Sequence, residues 1–168
     1  MCELSIYTDV SGAKKAHGVG VLFIEGEKEV KTKFKVTNRI VREDILPDNI
    51  LDMEDKRLRH KYTHDKLSVH EYECYAILQA LRNIDKDKKY DYINLYTDSL
   101  CSFDYINENV KIKKSVLELI ASECRTLAND KNVDIMWIKA HVNVYGNTIV
   151  DKLARAGRRV PINMIETI

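Results

Sequence analysis

The sequence predicts an α/β fold: a five-stranded mixed sheet, three antiparallel strands followed by parallel additions, with helices on both faces. Three observations lead there. Three strand-like stretches come first, in a row and joined by tight turns. After Ser68 the apolar period alternates between that of a helix and that of a strand. The 168 residues suffice for one ordinary core. Residues 1–168 are therefore expected to form a single domain, with a charged insertion at about 39–67.

The first strand runs from Leu4 to Asp9, with Leu4, Ile6 and Thr8 on one face and Ser5, Tyr7 and Asp9 on the other. Ser11-Gly12 is expected to turn the chain. Gly18 to Ile24 is an apolar run dense enough for a central strand, and Glu25-Gly26-Glu27 signals a hairpin into Glu29–Thr37. From Arg39 to Leu67 the chain is dense in charge and holds Pro47 beside Asp48-Asn49. Only Leu51, Leu58 and Tyr62 hint at a helix, so a loop with at most one short helix is expected. Ser68-x-x-Glu71 is a capping box, and Cys74, Ile77, Leu78, Leu81 and Ile84 form the apolar stripe of the helix it starts. Tyr92–Asp98 is a strand, Ser99–Asn107 and Ser115–Ala128 are helices, and Val133–Ile138 is a strand. Asn147–Ala156 is a last helix closed by Gly157, with Arg155 in its final turn.

The composition, 45% apolar and 32% charged, excludes a disordered chain, and no apolar run approaches the roughly 20 residues a bilayer span requires. Met1–Val10 lacks the marks of a secretion signal, so a cytoplasmic protein is expected, with no membrane partner. Cys2, Cys74, Cys101 and Cys124 make no C-x-x-C pair and read as reduced, structural residues. Net charge is only +1, so any face for a polyanion must be local. Lys111, Lys113 and Lys114, Arg155, Arg158 and Arg159, and Lys14 with Lys15 are the clusters available, though each taken alone reads as a solvated face.

The carboxylates carry the chemistry. The first strand ends Ile6-Tyr7-Thr8-Asp9 and the fourth ends Leu95-Tyr96-Thr97-Asp98, so the same pleat position bears an acid in both. If those strands lie parallel and adjacent, Asp9 and Asp98 meet at the edge where open α/β sheets place ligands. Two such carboxylates raise each other's pKa unless a cation neutralises them, and magnesium with its oxygen ligands is the natural partner. Each acid alone has a plainer role: Asp98 as the cap of the next helix, Asp9 as a turn former before Ser11-Gly12. In the helix after Ser68, Glu71 is accounted for by the capping box. Glu73 is aligned with Ile77, Ala80 and Ile84 on an inward edge, where a carboxylate needs a partner or a metal. Asp151 is expected in the first turn of the last helix, where the helix dipole alone favours an acid. His141 stands at a strand end before a loop containing Asn143 and Gly146.

Taken together, Thr8-Asp9-x-Ser11, Glu73-x-x-Ala76, Thr97-Asp98-Ser99 and His141-x9-Asp151 followed by Leu153-Ala154 resemble ribonuclease H of type 1. The resemblance spans nearly the whole chain except the Arg39–Leu67 insertion. It implies an endonuclease for the RNA strand of RNA–DNA hybrids, using two Mg2+ ions, with Mn2+ a possible substitute, and leaving 5′-phosphates. By similarity Asp9 bridges both ions and Asp98 and Asp151 complete the coordination. Glu73 holds one ion and reaches the RNA 2′-hydroxyl, the group that separates RNA from DNA. His141 resembles the family histidine that assists turnover, and Ser11, Gly12, His70, Ser99 and Asn143 fall at substrate-binding positions. The hybrid duplex is the implied partner and a monomer the implied state.

The sequence departs from that pattern in several places. Asn109–Lys114 leaves no room for a basic handle between the middle helices, and Leu100 follows Asp98-Ser99 where a glutamine is common. Val69 and His70 stand where asparagines often read the substrate, and Lys14-Lys15-Ala16-His17 replaces a glycine-rich stretch. The insertion, with Lys56, Arg57, Arg59, His60 and Lys61, either forms a lid on the substrate side or is a solvated loop. Two rivals share the fold: a resolvase-like nuclease acting on DNA, which would order its motifs differently, and a non-catalytic binding module, which would lack at least one of the four acids.

Overall fold

The computed structural model describes residues 2–12, 16–139 and 144–168. The strands are β1 (Glu3–Gly12), β2 (His17–Glu25), β3 (Lys28–Val36), β4 (Tyr92–Thr97), β5 (Val133–Trp137) and β6 (Ile165–Thr167). The helices are α1 (Asn38–Ile45), α2 (Lys56–His64), α3 (Val69–Arg82), α4 (Leu100–Ile106), α5 (Val116–Lys131) and α6 (Tyr145–Gly157), with a 3-10 turn at Ile50–Asp52. No helix among the described residues is long and apolar enough to cross a membrane.

The strands form one mixed sheet in the order β5-β4-β1-β2-β3-β6. β1, β2 and β3 are an antiparallel meander, and β4 and β5 add in parallel beside β1. The turn between β2 and β3 has two residues, Gly26 and Glu27. Gly26 takes φ +60°, a conformation a side chain disfavours and a tight hairpin requires. The expected five strands become six because Ile165–Thr167 pairs antiparallel with β3. All three of its residues are exposed, so no alternation of buried and exposed positions marked it in the sequence.

Pleating divides β1 between two cores. Leu4 and Ile6 face α3 and α5, joining Ile77, Leu81, Ile120 and Cys124 in the larger cluster. Tyr7 faces the other side, where Leu22, Val150 and Leu153 bring in α6. All four cysteines are free, and burial pushes the Cys74 thiol up to about 12, as suits an inert core residue. The close seat of α6 depends on glycines of β2. A Cβ on Gly20 would stand 2.6 Å from the Val150 carbonyl oxygen, and one on Gly18 would overlap the Ala154 carbonyl.

Three further expectations need correction. Ser11 and Gly12 do not turn the chain; they stay in β1, opposite Gly18 and His17. Thr37 leaves the third strand to cap α1, its hydroxyl accepting from the Ile40 N–H at 3.2 Å. The Arg39–Leu67 segment is not a loop with one short helix. It holds α1, the 3-10 turn and α2, and it buries Val41, Ile45, Tyr62 and Leu67 in the larger core. Polar bonds tie it down as well. Arg42 Nε donates to the Tyr62 carbonyl at 3.0 Å, joining α1 to α2. Asp44 of α1 accepts from the Tyr75 hydroxyl at 2.6 Å and from Arg82 at 2.7 Å, and Arg82 also holds Glu123 of α5.

Candidate active site

The repeated Tyr-Thr-Asp motifs do meet. β1 and β4 run parallel with Tyr7 opposite Tyr96, and the two rings stack with centroids 4.8 Å apart. Asp9 and Asp98 each lie two residues beyond these partners, just past the last pairing between the two parallel strands. Glu73 arrives from the second turn of α3, whose position is set by the Ser68–Glu71 capping box. Carboxylate oxygens of Asp9, Glu73 and Asp98 all lie within 4.8 Å of one another.

Asp9 and Glu73 are both only 7% exposed. Burial, then the neighbouring charge of Asp98, lifts the Asp9 carboxyl from 3.8 to about 7, although its own accepted bond from the Val10 N–H at 2.9 Å opposes the shift. Glu73 is pushed well above the ordinary glutamate range by burial first, then by Asp9 and Asp98. Its Oε2 is buried with no hydrogen-bond partner among the described residues. A buried carboxylate oxygen left this way costs free energy unless a proton or a cation joins it. Three carboxylates in one group are hard oxygen donors, which fit Mg2+ or Mn2+ better than a softer transition metal.

The plainer roles for these acids fall away one by one. Ser99, not Asp98, caps α4, its hydroxyl accepting from the Ser102 N–H at 3.2 Å. Asp9 lies inside a strand, paired with Gly20, rather than before a turn. Asp151 is not in the first turn of its helix, because α6 begins at Tyr145 and the dipole argument no longer reaches it. Asp151 stands outside the group of three, in an i,i+4 pair with Arg155 at 3.3 Å, yet its charge adds to the upward shift of Asp9.

Of the other expected site residues, Ser11 and Gly12 continue β1 past Asp9, and the Gly12 carbonyl accepts from Arg158 at 3.2 Å. His70 lies one turn before Glu73 on α3, half-buried, its N–H donating to the Ser68 hydroxyl. His141 and Asn143 lie outside the described residues. Three features were given no site role by the sequence, and Gly146, expected in a loop, lies in α6. His17 stacks on Tyr72 with ring centroids 3.9 Å apart, next to Gly12. Asn147, one helical turn before Asp151, buries an Oδ1 without a partner among the described residues. Gly146 lets α6 lie against the Tyr7 ring, where a Cβ would come within 2.3 Å. Nothing in the sequence told the packing role of Gly146 from that of a loop glycine.

A family model described as RNase H matches residues 2–159 of the chain. The chain belongs to the RNase H family. It is thus a ribonuclease H, a nuclease and a hydrolase by family. Solved members of the RNase H fold agree in architecture. The RNase H1 of the halophilic archaeon Halobacterium salinarum NRC-1 shares 16% identity at a TM-score of 0.59, covering 92% of this chain and 96% of that one. The N-terminal RNase H domain of rv2228c from Mycobacterium tuberculosis, solved as a fusion with maltose binding protein, shares 14% at 0.60, with 94% of each chain covered. LC11-RNase H1, isolated from compost by a metagenomic approach, shares 16% at 0.58, covering 93% and 98%. At such identities these likenesses speak for the fold, while the family match covers nearly all of the sequence.

Proposed function

We propose that this chain hydrolyses the RNA strand of RNA–DNA hybrids endonucleolytically, with two divalent cations held by its carboxylates, leaving 5′-phosphate products. The observation that carries the reading is the Asp9–Glu73–Asp98 group, two of its members buried and Glu73 Oε2 lacking a partner among the described residues. Asp9, Asp98 and Asp151 would hold the ions, with Asp9 serving both. Glu73 would hold one ion and accept from the 2′-hydroxyl, which would tie the site to RNA. When bound, Mg2+ would supply positive charge to activate water and to stabilise the leaving 3′-oxygen.

The chain's own residues fix the geometry. Stacked Tyr7 and Tyr96 hold the two strand ends in register, and the capping box sets the depth of Glu73. His141 assists release of the product. Ser11, Gly12, His70 and Ser99 would meet the duplex, Ser99 while capping α4, and Asn143 is assigned to the same set by its place in the motif. Residues 1–168 act as one domain, since the insertion shares the larger core rather than forming its own, and a monomer is the proposed state.

The test is cleavage of a labelled RNA–DNA hybrid in Mg2+, beside duplex RNA, duplex DNA, branched DNA and single strands, with Asp9→Asn as control. Cutting is expected only in the RNA of the hybrid, and is lost with EDTA and in the variant. Cleavage of branched DNA with the hybrid intact would transfer the reading to a resolvase-like nuclease. Binding without cleavage in Mg2+ or Mn2+ would make the chain a non-catalytic module.

A further inference from the structure

The charge on α2 is arranged unlike that of a solvated surface helix. Residues 56–66 hold five lysines and arginines, two histidines and a single acid, Asp65, in a chain whose whole net charge is +1. The rest of the chain is therefore net negative. Exposed helices ordinarily pair Glu with Lys at i,i+4; α2 contains no acid and sets Arg57 against Lys61 at that spacing. Lys56 and Arg57 also occupy its first turn, where the helix dipole opposes cations. Both placements cost helix stability, so a purely structural role does not account for them.

Packing decides which cations are available. Leu58 and Tyr62 face the core, and Arg59 is spent on the carbonyls of Leu51 and Met53. Arg57, His60, Lys61 and His64, at offsets of three, four and seven, form one stripe on the outer side, the two imidazoles stacked at 4.7 Å. Lys56, Arg57 and Lys61 enter none of the ion pairs among the described residues.

Position ties the stripe to the chemistry. Three residues separate the end of α2 from Ser68, the cap of α3, and Glu73 follows in the second turn of that helix. At the other flank Tyr62 feels the charge of Glu118 in the first turn of α5. Beyond His64, Lys66 lies close enough to influence His17, which neighbours Gly12 at the end of the Asp9 strand.

We infer that α2 is the electrostatic grip of this protein on the sugar-phosphate backbone of its duplex substrate, supplied by the insertion. The inference rests on the hybrid-hydrolase reading above and deepens it. A nine-residue helix is about 13 Å long, enough to reach a few neighbouring phosphates of one strand. Its contacts are to backbone, so they contribute affinity without sequence preference and leave the reacting groups untouched.

The test compares the full chain carrying K56Q/R57Q/K61Q with a control of equal charge, K28Q/K86Q/K89Q. The control residues are exposed and lie near the hairpin and the start of β4, at the opposite end of the sheet from Asp9. Hybrid cleavage and binding are measured from 50 to 300 mM salt, and thermal melts establish that both variants fold. In the α2 variant KM should rise about tenfold or more with kcat within about twofold, and the slope of log Kd against log salt should fall by about two to three. The control should stay near wild type. Equal slopes and KM values in wild type and the α2 variant would overturn the grip. Equal losses in both triples would reduce it to a general charge effect. If wild type itself fails to cut the hybrid, the functional reading falls, and the salt slope of binding still decides whether α2 holds nucleic acid.

Discussion

Asp9→Asn should abolish activity and yet make the metal-free protein more stable at high pH. The Asp9 carboxyl titrates at about 7 in the folded chain, raised by burial and by Asp98, against 3.8 for an ordinary aspartate. Between those values the folded chain keeps a proton the unfolded chain has lost, so metal-free stability falls as pH rises through the window and levels off above 7. Between pH 5 and 8 the loss from this one group is on the order of 3 kcal/mol. For a domain of this size that corresponds to roughly 6–12 °C in Tm. Glu73, raised in the same direction, adds to it. Asparagine preserves the shape, cannot ionise, and can donate towards the neighbouring carboxylates. The assay is thermal unfolding in EDTA at pH 5 and pH 8, for wild type and variant, repeated with millimolar Mg2+. Wild type should lose the stated stability on going to pH 8 and regain it with Mg2+, while the variant shows a much smaller fall and little response to the metal. A wild-type Tm that is the same at both pH values, or a variant less stable than wild type at pH 8 in EDTA, would refute the account of the site as a cluster strained by its own charge.

Two further perturbations test what holds the site and the insertion in place. Gly20→Ala puts a methyl 2.6 Å from the Val150 carbonyl and 2.8 Å from the Ala154 N–H nitrogen, so α6 must shift. A cost of about 1–3 kcal/mol is expected, with activity reduced beyond what unfolding explains because Asp151 moves with that helix; urea melts and single-turnover cleavage measure the two effects. Asp44→Ala removes the acceptor of Tyr75 and Arg82 and leaves the buried Tyr75 hydroxyl unpaired, costing about 2–3 kcal/mol. Tyr75→Phe added to it should restore part of that loss, which a double-mutant cycle reads directly.

The ordered acids on their elements were legible in the sequence because local rules place them. The capping box separates Glu71 from Glu73 without any tertiary knowledge, and strand pleating gives Asp9 and Asp98 equivalent positions in their motifs. The insertion was not legible in the same way. α1 and α2 have only eight and nine residues, and each buries one or two side chains, too few for a helical period to stand out. Their caps, Thr37 and Asp55, are single residues that also suit loops.

What the sequence by itself determined is the inventory: which acids exist, on which elements, and the helix and strand periods that carry them. Only the tertiary structure decided that β1 and β4 lie side by side and parallel, since strand adjacency is a long-range choice that no local pattern encodes. It likewise decided that α6 starts at Tyr145 and rests on Gly18 and Gly20, which takes Asp151 out of the first turn and brings its charge to bear on Asp9. The upward shifts of Asp9 and Glu73 belong to that level too. They arise from burial and from neighbours far away in the chain, and neither exists until the sheet and its helices have closed around them.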